Sequence, residues 1–249
     1  MNYAIIAAGN GSRLAQEGVS LPKPLVRAQG ECLIERLLRI FSHNDAENIF
    51  VICNEEMTDV ADYIRSCQKD YPVRLLVKST PSSMHSLHEL SQMMRKEMKS
   101  DKFILTTVDT IFNEQEFADF VFRFANDAEV DSLMGLTTFV DDEKPLYVAV
   151  TEAVGQGSQS RITGYFDSPN NCKHISAGIY GLRTSAFSIL DGCIESGKSR
   201  MRNFQRALVE SRLLIQPFVF SEVFDVDHVS DIEKANDYLA QNNESISNP

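Results

Sequence analysis

Residues 1–14 read MNYAIIAAGNGSRL, an apolar run followed by a loop that contains two glycines. The apolar run predicts a buried parallel strand, because it is continuous rather than alternating and is too short for a typical helix. Gly9 and Gly11 predict a sharp turn in which the backbone comes close to a bound group. The N–H groups of such a loop, together with the positive charges of Arg13 and Lys23, favour a phosphate ligand.

Two better-known glycine loops are excluded by the residues that follow. A dinucleotide-binding fingerprint needs a third glycine at position 14, where this chain has Leu14. A P-loop needs a Gly-Lys-Ser or Gly-Lys-Thr triplet to close the turn, and no such triplet follows Gly9. The phosphate loop therefore belongs to another class.

Composition excludes several functions. The chain has 249 residues, of which 43% are hydrophobic, and a formal net charge of -11. This length allows one large domain. Nucleic acid is not an expected partner, because phosphate-backbone binding needs a basic face. An acidic balance is compatible with a metal-dependent nucleotide site.

The cysteines and the hydropathy pattern give an expectation for the cellular compartment. The five cysteines show no Cys-x-x-Cys spacing, so we expect buried reduced thiols rather than disulfides or a zinc site. No apolar run is long enough to span a bilayer, and no leader-like sequence precedes the first strand. We therefore expect a cytoplasmic protein without a membrane partner.

Strand and helix patterns alternate through residue 129, which predicts a parallel sheet covered by helices on both faces. Residues 103–108 predict a strand that ends next to Asp109, at the carboxyl edge of the sheet where open α/β folds bind ligands. From residue 130 the predicted elements change character. A mixed or antiparallel extension of the sheet is indicated there. Its predicted strands are 130–140, 146–151, 161–166 and 176–182, with a turn at 155–158.

The end of the chain combines an acidic stretch with a helix. Alternation along Asp225-Val226-Asp227 predicts that both aspartates lie on one face, with Val226 on the other. Ser230 and Glu233 predict a capping box for the last helix. Mg²⁺ typically takes one or two carboxylates and completes its octahedron with water and phosphate oxygens. Two aspartates that converge at one sheet edge would therefore suffice to hold it.

The loop Ala-Ala-Gly-x-Gly-Ser-Arg-Leu, followed by Pro22-Lys23-Pro24, resembles the opening of the sugar-phosphate nucleotidyltransferases, the nucleoside-diphosphate-sugar pyrophosphorylase family. Residues 176–181, Ser-Ala-Gly-Ile-Tyr-Gly, are also similar to a strand of that family, so the resemblance covers almost the whole chain. It implies a three-layer α/β/α fold with a mixed, mostly parallel sheet, the Rossmann-like fold of the nucleotide-diphospho-sugar transferases. The expected organisation is a single domain over 1–249, with a nucleotide-binding half at 1–129, an acceptor-binding half at 130–222, and a metal-binding stretch and closing helix at 223–249.

The resemblance also implies roles for individual residues. Arg13, Lys23 and Asp109 correspond to catalytic positions, Arg13 near the leaving pyrophosphate and Lys23 at the phosphates of the reacting centre. Asp109 and Asp227 correspond to the two magnesium ligands. The expected nucleotide-binding residues are Ala8, Gly9, Gly11, Ser12 and Arg13.

Three places depart from the family pattern. Asp167-Ser168-Pro169 replaces Glu-Lys-Pro, and Ser176 replaces an asparagine, at positions that often contact the sugar. Residues 82–86, Ser-Ser-Met-His-Ser, replace the turn that usually contacts the nucleobase in this family, so the sequence does not determine which nucleobase is bound. Lys173 is expected at the surface, and His85 near the base site. The resemblance therefore implies an acceptor that is a sugar 1-phosphate or another phosphomonoester, such as the phosphocholine that relatives of this length activate.

The main hypothesis is a magnesium-dependent transferase that moves a nucleotidyl group from a nucleoside triphosphate to a phosphomonoester acceptor and releases pyrophosphate. A glycosyltransferase of related fold, with Asp225-Val226-Asp227 as its metal motif, is one alternative, and a catalytically silent nucleotide-binding regulator is another. The sequence does not determine whether the protein forms a homo-oligomer. Some relatives carry a carboxyl-terminal left-handed β-helix, which is absent here, so we expect no acetyltransferase activity.

Overall fold

The computed structural model describes residues 1–139, 144–151 and 159–246. The strands are β1 Asn2–Ala7, β2 Arg27–Ala28, β3 Glu31–Cys32, β4 Asn48–Cys53, β5 Val73–Val77, β6 Lys102–Thr107, β7 Thr110–Phe112, β8 Ser132–Thr137, β9 Tyr147–Thr151, β10 Arg161–Phe166, β11 His174–Arg183, β12 Ile215–Phe220 and β13 Val223–Asp225. The helices are α1 Ser12–Gln16, α2 Leu33–His43, α3 Thr58–Cys67, α4 Ser83–Glu97, α5 Glu114–Asn126, α6 Ala186–Glu195, α7 Met201–Glu210 and α8 Val229–Ile246, with a 3₁₀ helix at Lys23–Leu25.

Nine of the described strands form one central sheet, in which β1 lies between β4 and β6. The order is β10-β9-β11-β6-β1-β4-β5, and β8 joins β11 and carries β12 on its other side. Strands β1, β4, β5 and β6 are parallel. The predicted buried parallel strand at the start of the chain is therefore confirmed, and all six residues of β1 are buried.

Alternate residues of β1 face two different hydrophobic cores, because successive side chains of a strand point to opposite sides of the sheet. Tyr3 and Ile5 pack with α2 and α5, where the Tyr3 ring stacks on Phe41 at 4.3 Å between centroids. Ala4 and Ile6 pack against α4, α6 and α7 on the other face. This arrangement confirms the predicted three-layer α/β/α fold.

The predicted change of character after residue 129 is also confirmed. Strands β9, β10 and β11 are antiparallel to their neighbours, whereas β12 is parallel to β8. The register of β11 against β8 shifts between Ser176 and Tyr180, and Gly178 has φ +70° at this point. Residue 140 of the predicted strand over 130–140, and the predicted turn at 155–158, lie outside the described residues.

Helix ends give one prediction that is confirmed in part and one that is wrong. The sequence predicts Asn113 and Glu116 as a capping pair for α5. The Asn113 side chain does cap α5 by accepting hydrogen bonds from the N–H groups of Gln115 and Glu116, but the Glu116 carboxylate accepts from Ser221. The capping box predicted at Ser230 is wrong, since α8 already begins at Val229. The Val229 N–H is instead bound by Oε2 of Glu17 at 2.7 Å, a residue from the far end of the chain.

The remaining expectations concern cysteines and membranes. Cys32, Cys53, Cys67 and Cys193 are buried and free, as predicted, and Cys172 is partly buried and free. Within residues 1–139, 144–151 and 159–246, no helix combines the length and the apolar character that crossing a membrane requires.

Candidate active site

Two adjoining cavities open at the carboxyl edge of the parallel strands. The smaller, of about 340 Å³, lies between the glycine loop, the end of β6 and the start of α4. The larger, of about 450 Å³, lies between β11, the start of α7 and the segment after β13. Ser82, Ser83 and Thr107 belong to the walls of both cavities. Two ligands bound in these cavities would therefore lie side by side.

The surrounding protein restricts one of the two glycines of the loop, and the approach of the loop to a bound group stays a prediction. Gly11 has φ +58°, and a Cβ at this position would lie 3.0 Å from Cβ of Lys23, so only glycine fits without a shift. At Gly9 a Cβ would meet no atom within 4 Å, so the protein itself places no such restriction there. Helix α1 starts directly after Gly11.

The predicted nucleotide-binding residues divide between the two cavities. Ala8, Gly9 and Gly11 line the smaller one, together with Lys23 and Asp109. Arg13 lines the larger one. Ser12 lines neither of these two cavities as the described residues form them.

Lys23 connects the two predicted magnesium ligands. Its Nζ donates to Oδ2 of Asp109 and to Oδ1 of Asp227, both at 2.5 Å, and its side chain is 8% exposed. Burial opposes the charge of the ammonium group, but the two carboxylates outweigh it and raise the pKa of Lys23 to about 12. Lys23 is therefore a permanent cation at neutral pH.

Arg13 is the second cation at this point. Its Nη1 donates to Oδ2 of Asp227 at 2.7 Å, and about half of its side chain is exposed. Burial raises the pKa of Asp227, but hydrogen bonding and attraction from Lys23, together with Arg13, lower it overall. Asp227 thus stays ionised while it binds both cations.

A small antiparallel pair of strands brings the aspartates together. Asp225 at the end of β13 pairs with Thr110 at the start of β7, and the Val226 N–H donates to the carbonyl of Asp109 at 3.0 Å. This register sets Val226 opposite Asp109, so Asp227, the next residue, follows directly beside Asp109. Asp225 and Asp227 both line the larger cavity and Val226 is 1% exposed, which confirms the predicted alternation.

Asp225 is the third carboxylate of this cluster. Part of its side chain is open to the larger cavity, but the surrounding protein desolvates the carboxyl group. Desolvation, followed by repulsion from Asp109 and Asp227, raises the pKa of Asp225 to about 8. Asp225 is therefore largely protonated at neutral pH, and the negative charges of Asp109 and Asp227 are offset by Lys23 and Arg13.

The residues fit a magnesium ion that is shared with a ligand. Oδ1 of Asp109 is buried and has no hydrogen-bond partner among the described residues. A buried polar atom normally has a partner, so this oxygen is available as a metal ligand. No group of three or more His, Cys, Asp and Glu side chains in the described parts of the chain could hold a metal by itself. A shared site suits Mg²⁺, which usually keeps waters and binds substrate phosphates.

The larger cavity contains residues that sequence reasoning missed. Nε2 of Gln205 donates to Oγ of Ser176 at 2.8 Å, and Gln205 is 2% exposed. Arg200, at the N-terminal end of α7, also lines this cavity. No local signal could have identified either residue, because the fold alone brings α7 beside β11.

The remaining residues of interest have the following positions. Asp167 does not line either cavity, and its carboxylate binds Arg202 and Arg206. His85 lies at the start of α4, where its Nδ1 is 2.9 Å from Oγ of Ser82. Lys173 is exposed, as predicted.

Comparison with solved structures agrees with this fold. The inositol-1-phosphate CTP transferase from T. maritima superposes with a TM-score of 0.78 at 17% identity, over 98% of this chain and 96% of that one. A putative glucose-1-phosphate thymidylyltransferase from Bacillus anthracis gives the same TM-score at 18% identity, over 96% and 94% of the two chains. The chain therefore has the nucleotidyltransferase fold.

Sequence comparison identifies the family. Residues 3–156 match the MobA-like NTP transferase domain, and the chain belongs to this family. It is 23% identical to the bifunctional protein GlmU of Methanococcus vannielii over 252 residues, which cover 97% of this chain and 56% of that protein. It is 31% identical to the adenosylcobinamide-phosphate guanylyltransferase of Methanocaldococcus jannaschii over 71 residues, 28% of this chain and 34% of that one. The chain spans about half the length of the GlmU proteins that it matches. The predicted resemblance to sugar-phosphate nucleotidyltransferases is confirmed.

Proposed function

We propose that the protein transfers a nucleotidyl group from a nucleoside triphosphate to a sugar phosphate or a related phosphomonoester, such as phosphocholine, and releases pyrophosphate. One observation carries the proposal. The two adjoining cavities meet at the cluster of Lys23, Asp109 and Asp227, since Lys23 and Asp109 line one cavity and Asp227 the other. A donor and an acceptor bound on either side of this cluster would have their phosphates next to each other.

The reaction needs no general base. The acceptor is a phosphate monoester whose second pKa is about 6, so it is largely a dianion at neutral pH. One of its oxygens attacks the α-phosphorus, a new P–O bond forms, and the bond from the α-phosphorus to the bridging oxygen of the β-phosphate breaks. The electron pair of that bond leaves with pyrophosphate. The chemical problem is therefore repulsion between anions rather than proton transfer.

The site residues address this repulsion. Lys23 and Arg13 carry positive charge at the junction of the cavities, where it can offset the negative charge of the reacting and departing phosphates. Asp109 and Asp227 are the proposed ligands of Mg²⁺, which when bound would neutralise phosphate charge and orient the phosphates. Family membership supports the roles of Arg13, Lys23 and Asp109, because the matched region, residues 3–156, includes them; the role of Asp227 is supported by its contacts with Lys23 and Arg13.

A pyrophosphatase-coupled phosphate assay tests the proposal and identifies the substrates. Each of the four common nucleoside triphosphates is incubated with Mg²⁺ and with one acceptor at a time, from a panel of sugar 1-phosphates, inositol 1-phosphate and phosphocholine. We expect pyrophosphate only where one triphosphate and one acceptor are both present. In parallel incubations that contain a nucleotide sugar in place of a triphosphate, release of the nucleoside diphosphate without pyrophosphate would instead indicate a glycosyltransferase. Nucleotide binding without turnover of any pair would indicate a regulator.

A further inference from the structure

One side chain, Asn54, joins three loops and is 8% exposed; it follows β4, in a loop that lines a third, neighbouring cavity of about 450 Å³ rather than the smaller cavity. Its Nδ2 donates to Oδ1 of Asn10, in the glycine loop, at 2.9 Å. Its Oδ1 accepts from Oγ of Ser79, in the loop before α4, at 2.7 Å, and from the N–H of Glu56 at 3.0 Å. The contacts of Asn54 thus reach the loops that follow β1, β4 and β5.

The direction of these hydrogen bonds follows from the Glu56 N–H group. A backbone N–H can only donate, so the atom of Asn54 that it meets is Oδ1. The amide nitrogen of Asn54 must then face Asn10, and since this nitrogen can also only donate, Asn10 must present its own Oδ1. The amide of Asn10 is therefore fixed in one of its two orientations.

The fixed orientation leaves a donor beside the nucleotide cavity. Asn10 is exposed, lies between Gly9 and Gly11, and lines the cavity of about 340 Å³. Its Oδ1 is bound by Asn54, while its Nδ2 has no hydrogen-bond partner among the described residues. The two hydrogens of Nδ2 are thus available to an acceptor oxygen of a ligand, such as a phosphate, ribose or base carbonyl oxygen.

We propose that Asn10 contacts the bound nucleoside triphosphate through Nδ2, and that Asn54 is the positioning residue that orients Asn10 for this contact. The inference rests on the proposed function, because it requires a nucleoside triphosphate in this cavity. Without Asn54, the amide of Asn10 rotates freely, and it presents the oxygen as readily as the nitrogen. A nucleotide oxygen would then often meet another acceptor, and binding weakens.

A double-mutant cycle measured by isothermal titration calorimetry tests this arrangement. Each of the four common nucleoside triphosphates is titrated with Mg²⁺ and without acceptor into the wild type and into Asn10→Ala, Asn54→Ala and the double variant. We expect Asn10→Ala to raise the Kd of the preferred triphosphate by on the order of tenfold, the effect of one hydrogen bond to a charged or polar ligand. Asn54→Ala should raise it less, by about two- to fivefold, because half of the Asn10 amides still present the nitrogen and the freed side chain must be ordered on binding. Because Asn54 acts through Asn10, the double variant should bind no more weakly than Asn10→Ala.

Two controls separate positioning from general damage. Asn126→Ala removes another exposed asparagine, at the end of α5, which lines neither cavity and should leave the Kd unchanged. If Asn54→Ala does not fold, Asn54→Asp serves instead, since it can still accept from Glu56 and Ser79 but cannot donate to Asn10. The effect of the added charge is cancelled by comparing Asn54→Asp in the wild-type and Asn10→Ala backgrounds. The substitution should raise the Kd more in the wild type than in Asn10→Ala.

The possible outcomes distinguish this inference from the proposed function. Additive effects of the two substitutions would show that Asn54 acts independently of Asn10 and would overturn the positioning role. A wild-type Kd in Asn10→Ala would overturn the nucleotide contact. If the wild type binds no nucleoside triphosphate, the proposed function fails and the inference falls with it. A wild type that binds one triphosphate, with both variants unchanged, would contradict the inference alone.

Discussion

Replacement of Lys23 by methionine should destabilise the protein in a way that magnesium reverses. Nζ of Lys23 lies 2.5 Å from both Asp109 and Asp227, and its side chain is 8% exposed. Removing one partner of a buried ion pair lowers the free energy of unfolding by about 3–5 kcal/mol, whereas an exposed ion pair contributes only about 0–1 kcal/mol. Asp109 is 17% and Asp227 38% exposed, so the site lies between these limits. We expect a loss of about 3 kcal/mol.

The assay is thermal unfolding of the wild type and of Lys23→Met, with and without Mg²⁺. A loss of about 3 kcal/mol corresponds to a fall in Tm of roughly 6–12 °C for a chain of this size. Without the ammonium group between the carboxylates, Mg²⁺ competes only with Arg13 at Asp227, so it should raise the Tm of the variant more than that of the wild type. Lys78→Met is the matched control. It breaks a more exposed ion pair with Glu89, of 2.7 Å, and should cost less than about 1 kcal/mol.

Two results would refute this reasoning. If Lys23→Met unfolds at the wild-type temperature, the contacts of Lys23 with Asp109 and Asp227 contribute nothing to stability. If Mg²⁺ raises the Tm of both proteins equally, the ammonium group and the metal do not compete for the same two carboxylates.

Three further predictions concern the same site. Gly11→Ala should weaken nucleotide binding and lower the free energy of unfolding by about 1–2 kcal/mol, since Gly11 has φ +58° and a Cβ would press on Lys23. Gly9→Ala should leave the free energy of unfolding unchanged. Equal unfolding free energies of the two variants would contradict this prediction. Arg13→Gln should lower kcat by on the order of 10² to 10³ with a normal fold, as when one preorganised donor to a developing anion is lost, and a wild-type kcat would exclude that role. The pKa of Asp227 is lowered in the folded protein, so its contribution to stability is present above the unfolded value of about 3.9 and is lost as the pH falls through the folded value. The difference in unfolding free energy between the wild type and Asp227→Asn should therefore shrink below about pH 4, and a difference that does not change with pH would argue against this ion pairing.

The sequence was sufficient where a local pattern determines the structure. The continuous apolar run before Gly9 predicts β1, and Asp109 lies at the carboxyl edge because it directly follows β6. Both conclusions need only the residues nearby. The Asn113 cap of α5 is of the same kind, since an asparagine accepts from N–H groups two and three residues later.

The sequence was insufficient where distant segments meet. Strands β7 and β13 have only three residues each, too few for a periodic pattern, and their pairing joins Thr110 to Asp225. The wrong cap at Ser230 has this cause in part, because the Val229 N–H is bound by Glu17, 212 residues away in the chain, and such a contact depends on the whole fold. The other part is local, since Oδ2 of Asp231 accepts from the N–H groups of Asp227 and His228, whereas the predicted capping pair is Ser230 and Glu233.

Phosphorus NMR of the reaction mixture tests the central claim most directly. The wild type and Asp109→Asn are each incubated with Mg²⁺, the preferred nucleoside triphosphate and its acceptor. The account predicts that the wild type forms pyrophosphate and a new diphosphate diester in equal amounts, whereas Asp109→Asn, with a normal fold, forms neither. Full magnesium-dependent turnover by Asp109→Asn, or formation of orthophosphate in place of the diphosphate product, would contradict it.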